Sequence, residues 1–291
     1  MSPKRRTVGR PRIRERLEDD GLPSPEIGEW SLQKYEILGL YCELFSSGMK
    51  NKWAERVYID AFCGPGRARL KGTGNIVETS PFMALRISIP FTKYIFCDED
   101  EAATRSLEQR VYKEFGKERQ VVFVAGDVNS CYPEIIKDIP KGPDVLKFCF
   151  LDPYDIGVHL KTVREFANVE RIDFLILLAL QMDARRNIGR YEDPGSEKIE
   201  KFLDMPRWRE EWKAFRKKHG PNPVRFLAET YAVRMEEIGY RRLGLDKMKQ
   251  IKASQLGLYY LALFSKAQLA YHFWGQVLKY TNGQISLPFE H

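Results

Sequence analysis

The stretch YIDAFCGPGR, Tyr58 to Arg67, decides how the rest of the chain reads. A short apolar run rich in β-formers ends on an acid, Asp60, and breaks into a turn with glycines at 64 and 66. A strand feeding a glycine turn ahead of a helix is the opening of a parallel α/β unit, because glycine takes backbone conformations that other residues resist and lets a ligand approach the main chain closely. Downstream the rhythm repeats. A helix around SPFMALRIS is followed by strand KYIFCD, helix DEAATRSLEQRVYKEF, strand QVVFVAGD, helix CYPEIIKDI, strand VLKFCFLDP, helix HLKTVREFAN and strand IDFLILLAL. Near-continuous apolar strands separated by helices predict an α/β fold whose mostly parallel sheet is covered on both faces. Upstream, WSLQKYEILGLYCELFSS predicts a helix with Trp30, Lys34, Ile37, Leu38, Tyr41 and Leu44 near one stripe.

The chain has 291 residues, 43% of them hydrophobic, enough for one substantial core enlarged by insertions. We divide it into a basic arm and connector expected to be disordered (1–28), the α/β core (29–182), a helical basic and aromatic insertion (183–222) and a closing strand and helix that complete the sheet (223–291). The longest apolar runs, FLILLAL and LGLYYLALF, are about half of what a bilayer needs, and the arginine-rich N-terminus has no apolar signal core. Five cysteines stand singly, with no CxxC pair and no histidine at ligand spacing, which disfavours a zinc site or a disulfide framework. The expectation is a soluble cytoplasmic protein with reduced thiols and no metal. Sequence leaves its oligomeric state open.

A formal net charge of +7 invites nucleic acid. One basic cluster is the arm Ser2 to Arg16, with Arg5, Arg6, Arg10 and Arg12. It reads either as a solvated tail or as a non-specific phosphate contact. Gly9-Arg10-Pro11-Arg12 is similar to the short hooks that lie in A·T-rich minor grooves. The second cluster is Met205 to Gly220, where Trp208, Trp212 and Phe215 share a helical face among six Lys and Arg residues. That face fits a core stripe better than a stacking platform for bases. Arg67, which closes the glycine loop, and Arg185, Arg186 and Asn187, after the fifth strand, are further candidate contacts to a nucleic-acid substrate.

Four strands end on carboxylates: Asp60, Asp98, Asp127 and Asp152. Singly, each is a turn former or helix cap. As an ordered set along the edge where open parallel sheets bind ligands, they suit S-adenosylmethionine. Gly64 and Gly66 let the backbone approach its methionine part, and Asp60 holds the loop or the ammonium. Asp98 accepts from the ribose hydroxyls, and Asp127 accepts from the adenine amine with Val128 packed on the ring. A dinucleotide is disfavoured because Arg69 stands where the G-x-G-x-x-G/A fingerprint needs a small residue, and no GK[ST] marks a phosphate loop.

The motifs D-x-F-x-G-x-G (Asp60, Phe62, Gly64, Gly66), FCDED, AGDVN and LDPY, in this order, resemble the class I S-adenosylmethionine-dependent methyltransferases. That resemblance implies a Rossmann-like sheet and places Phe62 with the cofactor loop. More narrowly the chain resembles the three-Cys-motif partner proteins. The carrying residues are Trp30 and Lys34, YIDAFCGPGR, Thr79-Ser80-Pro81, FLDPYDIG, QMDARRN, LYYLALFSK and Phe273-Trp274. This resemblance implies a protein partner with a three-cysteine motif of radical S-adenosylmethionine type and no settled substrate. Asp155 stands where glycine is usual in that family's Asp-Pro-Tyr-Gly form, which bears on the width of the catalytic pocket.

LDPYD points to transfer to an exocyclic amine of a base. Such an amine is a poor nucleophile until Asp152 and the carbonyl of Leu151 or Pro153 accept its protons, with Tyr154 stacking on an extruded base. The competing reading of DPY is a proline-stabilised turn. Three functions follow: a nucleic-acid methyltransferase, a non-catalytic partner module that kept the fold, and a small-molecule or protein methyltransferase.

Overall fold

The computed structural model describes residues 13–282. The chain enters through β1 (Glu15–Leu17) and β2 (Glu26–Ile27), then α1 (Ser31–Met49), β3 (Glu55–Asp60), β4 (Arg67–Leu70), β5 (Ile76–Glu78) and α2 (Ser80–Leu85). It continues through β6 (Lys93–Asp98), α3 (Glu101–Phe115), β7 (Val121–Ala125), α4 (Val128–Asp138), β8 (Val145–Leu151), α5 (Leu160–Ala167) and β9 (Ile172–Leu178). A π-helical turn (Leu180–Ala184) leads into α6 (Arg185–Tyr191), α7 (Lys198–Leu203), α8 (Trp208–His219) and α9 (Pro223–Glu237). The chain then closes through β10 (Lys249–Ala253), β11 (Leu256–Phe264) and α10 (Gln268–Thr281). Among the described residues no helix is long and apolar enough to cross a membrane.

The main sheet runs β10-β11-β9-β8-β3-β6-β7, with β11 antiparallel to both neighbours and the five strands from β9 to β7 parallel. The chain starts in the middle at β3, winds outward to β6 and β7, then returns to β8. The crevice between β3 and β8 is therefore the topological switch point at which such sheets bind ligands. Alternate strand residues face two cores. Val57, Ile59, Cys97, Cys149 and Phe174 pack under α4, α5 and the α6–α9 layer, while Tyr58, Phe96, Phe148 and Leu175 pack under α1, α2, α3 and α10. Burial on both faces explains why these strands read as unbroken apolar runs. α1 is enclosed nearly all round from Ile37 to Ser46, because it packs against α2 and α10 as well as the sheet.

A second, four-stranded sheet, β1-β5-β4-β2, departs from the sequence reading. The KGTGN stretch, Lys71 to Asn75, is the tip of a β4–β5 hairpin. Disorder through residue 28 is likewise corrected for the described part of that segment, since β1 pairs with β5 and β2 with β4. A buried cation holds the connector between β1 and β2. Arg110 of α3 donates to both carboxylate oxygens of Asp20 (2.6 and 2.8 Å) and to the carbonyls of Leu22, Pro23 and Pro65. One guanidinium thus ties the connector and the glycine loop to the same helix.

The Arg110 hydrogen bonds hold the Asp20 carboxyl down at about 2 against its ordinary 3.8. A depressed carboxylate contributes stability that is present above the unfolded value and lost as pH falls through the folded one. We expect Asp20→Asn to cost about 2 kcal/mol near neutral pH. In urea unfolding, the gap to wild type should narrow from about pH 4 downward; a gap that does not change with pH contradicts the assignment.

Candidate functional site

Strand ends bring the sequence-predicted acids to one edge, and their surroundings separate them. Asp98, at the end of β6, accepts from the Gly64 N–H through Oδ2 (2.8 Å) and from the Asp100 N–H through Oδ1 (3.0 Å). It is half-buried, and a carboxylate has further lone pairs for a ligand. Gly64 has φ +56° and open space where a side chain would stand. Gly66 does not share this role. A Cβ there would collide with Leu107 and Phe82 at 2.6 and 2.7 Å, so its glycine serves packing beneath the loop. Phe62 is half-buried against the core. Asp127 is exposed and caps α4 by accepting from the Asn129 N–H at 3.1 Å, while Val128 behind it is buried in the core.

Asp60 is fully buried. It accepts from the Tyr58 hydroxyl and the Phe62 N–H, both at 3.3 Å, so of the two roles read from sequence it takes that of holding the loop. Burial pushes its carboxyl up to about 7, with the Ser80 hydroxyl opposing and the nearby Asp152 charge adding to the rise.

Asp152 follows β8 and meets Lys34 of α1, whose ammonium reaches both carboxylate oxygens at 2.7 and 2.9 Å. Both side chains are largely buried, at 14% and 7% exposure. Burial pulls the Lys34 ammonium down, but the Asp152 charge and hydrogen bond, with Tyr35 and Tyr259 adding to them, together more than offset it. Burial pushes Asp152 up while Lys34 opposes the rise. Burial pushes the Tyr259 hydroxyl of β11 up, and Lys34 nearby opposes that rise. Pro153 is buried, and Tyr154 projects with 97% of its surface exposed.

No protein-family model matches the chain, and no curated protein matches it. Solved structures do. It is similar to Trm1 from Pyrococcus horikoshii in complex with S-adenosyl-L-methionine (12% identity, 79% of this chain and 53% of that one, TM-score 0.44). It is similar to a putative O-methyltransferase from Klebsiella pneumoniae (11%, 85% and 84%, TM-score 0.42). It is also similar to magnesium protoporphyrin IX methyltransferase from Synechocystis PCC 6803 with bound SAH (10%, 80% and 86%, TM-score 0.39).

Several side chains brace the edge. Asn129 donates to Asp127 (3.1 Å) and to the Gly157 carbonyl (3.0 Å), and accepts from the His159 N–H (2.9 Å), so it links the end of β7 to the loop after β8. Asp183 is buried and accepts from the Ile156 N–H, Asn187 and Tyr191. It anchors the DPYDIG loop from the π-helical turn, a distortion that often marks functional sites. Asp155 pairs with Lys198 of α7 at 2.7 Å, so the residue that departs from the family pattern engages the helical insertion. Lys34 alone left a usable trace in sequence. A cation inside the buried stripe of a helix must meet a carboxylate from elsewhere.

The candidate nucleic-acid contacts do not form one set. Arg67 pairs with Asp20 at 3.0 Å and donates to the Glu18 carbonyl, because the loop folds back onto the connector. Asn187 is committed to Asp183 at 2.8 Å, whereas Arg185 and Arg186 are exposed on α6, Arg185 bonding Gln181. Arg5, Arg6, Arg10 and Arg12 lie outside the described residues. On α8, Trp208 and Trp212 are buried in the core, and Arg209 donates to the carbonyls of Tyr191, Glu192, Asp193 and Ser196. That helix presents no aromatic platform through those two rings.

Proposed function

We propose that this chain is an S-adenosylmethionine-dependent N-methyltransferase whose acceptor is an exocyclic amine of a nucleic-acid base. We further propose that it works in the cytoplasm beside a three-Cys-motif protein of radical S-adenosylmethionine type. One arrangement supports the chemical reading above all. Asp98 and Gly64 on one side of the switch point, and Asp152-Pro153-Tyr154 on the other, stand on adjacent strand ends of a single sheet edge.

The residues on the cofactor side fit the ligand. Gly64 leaves its backbone face open, Asp98 keeps acceptor capacity for paired hydroxyls, and Asp127 is exposed at the end of the next strand. When bound, S-adenosylmethionine supplies an electrophilic methyl group. On the acceptor side, Asp152 accepts protons from the amine and restores lone-pair density to its nitrogen, and Tyr154 offers its exposed ring to the base. Lys34 opposes the rise that burial imposes on the Asp152 carboxyl and so favours its charged form.

The cofactor half is tested by calorimetry with S-adenosylhomocysteine. Wild type should bind, and Asp98→Ala should bind about ten- to a hundredfold more weakly, as loss of a charge-assisted acceptor implies. Because Asp98 also holds the Gly64 N–H, Asp98→Asn should fall between the two. Unchanged affinity in both folded variants overturns the placement.

A second reading, a non-catalytic binding module for the three-Cys-motif protein, is favoured by one observation. Lys34 occupies both oxygens that the amine needs. Cofactor binding and a stable complex with that partner, with no transfer to RNA, DNA, protein or small molecules, would select it.

A further inference from the structure

A polar groove of about 730 Å³ opens beside the acceptor side, between the four-stranded sheet, the first turn of α1 and the β10–β11 hairpin. Its walls bring together three exposed cations from separate parts of the chain: Arg16 of β1, Lys71 at the end of β4 and Lys252 of β10. Among the described residues none of the three has an ion pair. Their neighbours differ. Arg14 pairs with Glu114, Arg67 with Asp20 and Arg69 with Asp19. The sheet therefore spends its other arginines internally and leaves uncommitted charge facing the groove.

Thr73 and Asn75 on the β4–β5 hairpin add hydrogen-bonding side chains to the lining. The groove also adjoins the acceptor side: Trp30 and Gln33, in its lining, stand at the start of α1 beside Lys34, which pairs with Asp152. Glu15 and Glu29 share the wall, so it is not uniformly basic. The strand bearing Arg16 leads back into residues 1–12, which hold five cations, Lys4, Arg5, Arg6, Arg10 and Arg12, and no acid.

We propose that this groove carries the single strand of nucleic acid on either side of the acceptor base, with Arg16, Lys71 and Lys252 each meeting a backbone phosphate. The proposal rests on the nucleic-acid reading of the acceptor side and adds the path the strand takes. Phosphates fit the three cations because they recur along a flexible chain and can be met one at a time, past intervening acids. A base extruded onto Tyr154 needs such anchoring on its flanks, since stacking alone leaves the strand free to slide.

The test is fluorescence anisotropy of labelled single-stranded RNA and DNA oligonucleotides of mixed sequence, titrated with the full chain across a range of salt. The variants are Lys71→Ala, Lys252→Ala and the triple with Arg16→Ala. All three side chains are exposed, and thermal unfolding checks that folding is kept. Each phosphate contact on a single strand adds about 0.7 to the salt slope, so the triple variant should lose about 2 in slope and bind roughly a hundredfold more weakly near 0.1 M salt. Calorimetric affinity for S-adenosylhomocysteine should stay at the wild-type value. Cross-linking from thio-substituted RNA should map to the Lys71–Asn75 hairpin. Wild-type binding that the triple variant leaves unchanged in affinity and slope overturns the groove and spares the nucleic-acid reading. No binding of either oligonucleotide by wild type overturns both.

Discussion

Asp152→Asn should lower single-turnover methyl transfer by about 10²–10⁴-fold while leaving S-adenosylhomocysteine affinity near wild type. The asymmetry comes from when the carboxylate acts. An amine conjugated to a base ring has little nucleophilicity in the ground state, and its N–H groups become strong donors only as the nitrogen rehybridises, so an acceptor there stabilises the transition state more than the bound substrate. Asn keeps the shape and one carbonyl acceptor but loses the charge, and it leaves the Lys34 ammonium buried without its partner. Stability should therefore fall too. The double variant Lys34→Met/Asp152→Leu separates the two effects: it should recover stability without recovering transfer, because a buried ion pair can be replaced by apolar groups at little cost. Transfer by folded Asp152→Asn equal to wild type removes Asp152 from the chemistry.

Lys34→Met should act through Asp152. The groups facing that carboxylate are Lys34, Tyr35 of the same helix, Asp60 of β3 and Tyr259 of β11; among them only the ammonium holds it down. Without that cation, burial drives Asp152 toward the neutral acid, and transfer at neutral pH should collapse. The sign fixes the profile: because the variant raises the pKa of a group that must be ionised, transfer should recover as pH rises. Lys34→Arg, which keeps the charge, should shift the profile much less. Removing one member of a buried pair costs about 3–5 kcal/mol when the other stays charged, so the loss of stability should shrink at low pH, where Asp152 protonates. A uniform drop in transfer at every pH would point instead to a packing role for Lys34.

The fold was legible where a single local rule governed it. Apolar runs such as VLKFCFL and IDFLILL could only be strands covered on both faces, and the acid at each strand end followed from where those runs stopped. The four-stranded sheet was not legible, because β1, β2 and β5 are two or three residues long, and the connector between β1 and β2 is held by Arg110 reaching from α3, a contact across 90 residues that no local pattern encodes. β10 escaped for a related reason. Its sequence, KQIKA, has one fully buried residue, and it is set by its pairing with β11.

At the site, residue identities were readable but their partners were not. Asp98, Asp127 and Asp152 stand where the strand ends predicted, yet Asp60 is sealed inside, Gly66 faces the core and Arg67 turns to Asp20. Those outcomes depend on which way a side chain leaves the loop, and the sequence of a turn does not state that. Asn129 and Asp183 were invisible as braces because polar residues after a strand look alike whether they meet solvent or a neighbouring loop.

The most direct test of the whole account is single-turnover reaction of the full chain with methyl-labelled S-adenosylmethionine and total host RNA and DNA. The three-Cys-motif protein is supplied in trans, and the products are digested to nucleosides for mass spectrometry. The account predicts label on an exocyclic nitrogen of one base, present with wild type and absent with Asp152→Asn. Label on a ring carbon, a ribose oxygen or protein, or equal labelling by both proteins, would contradict it.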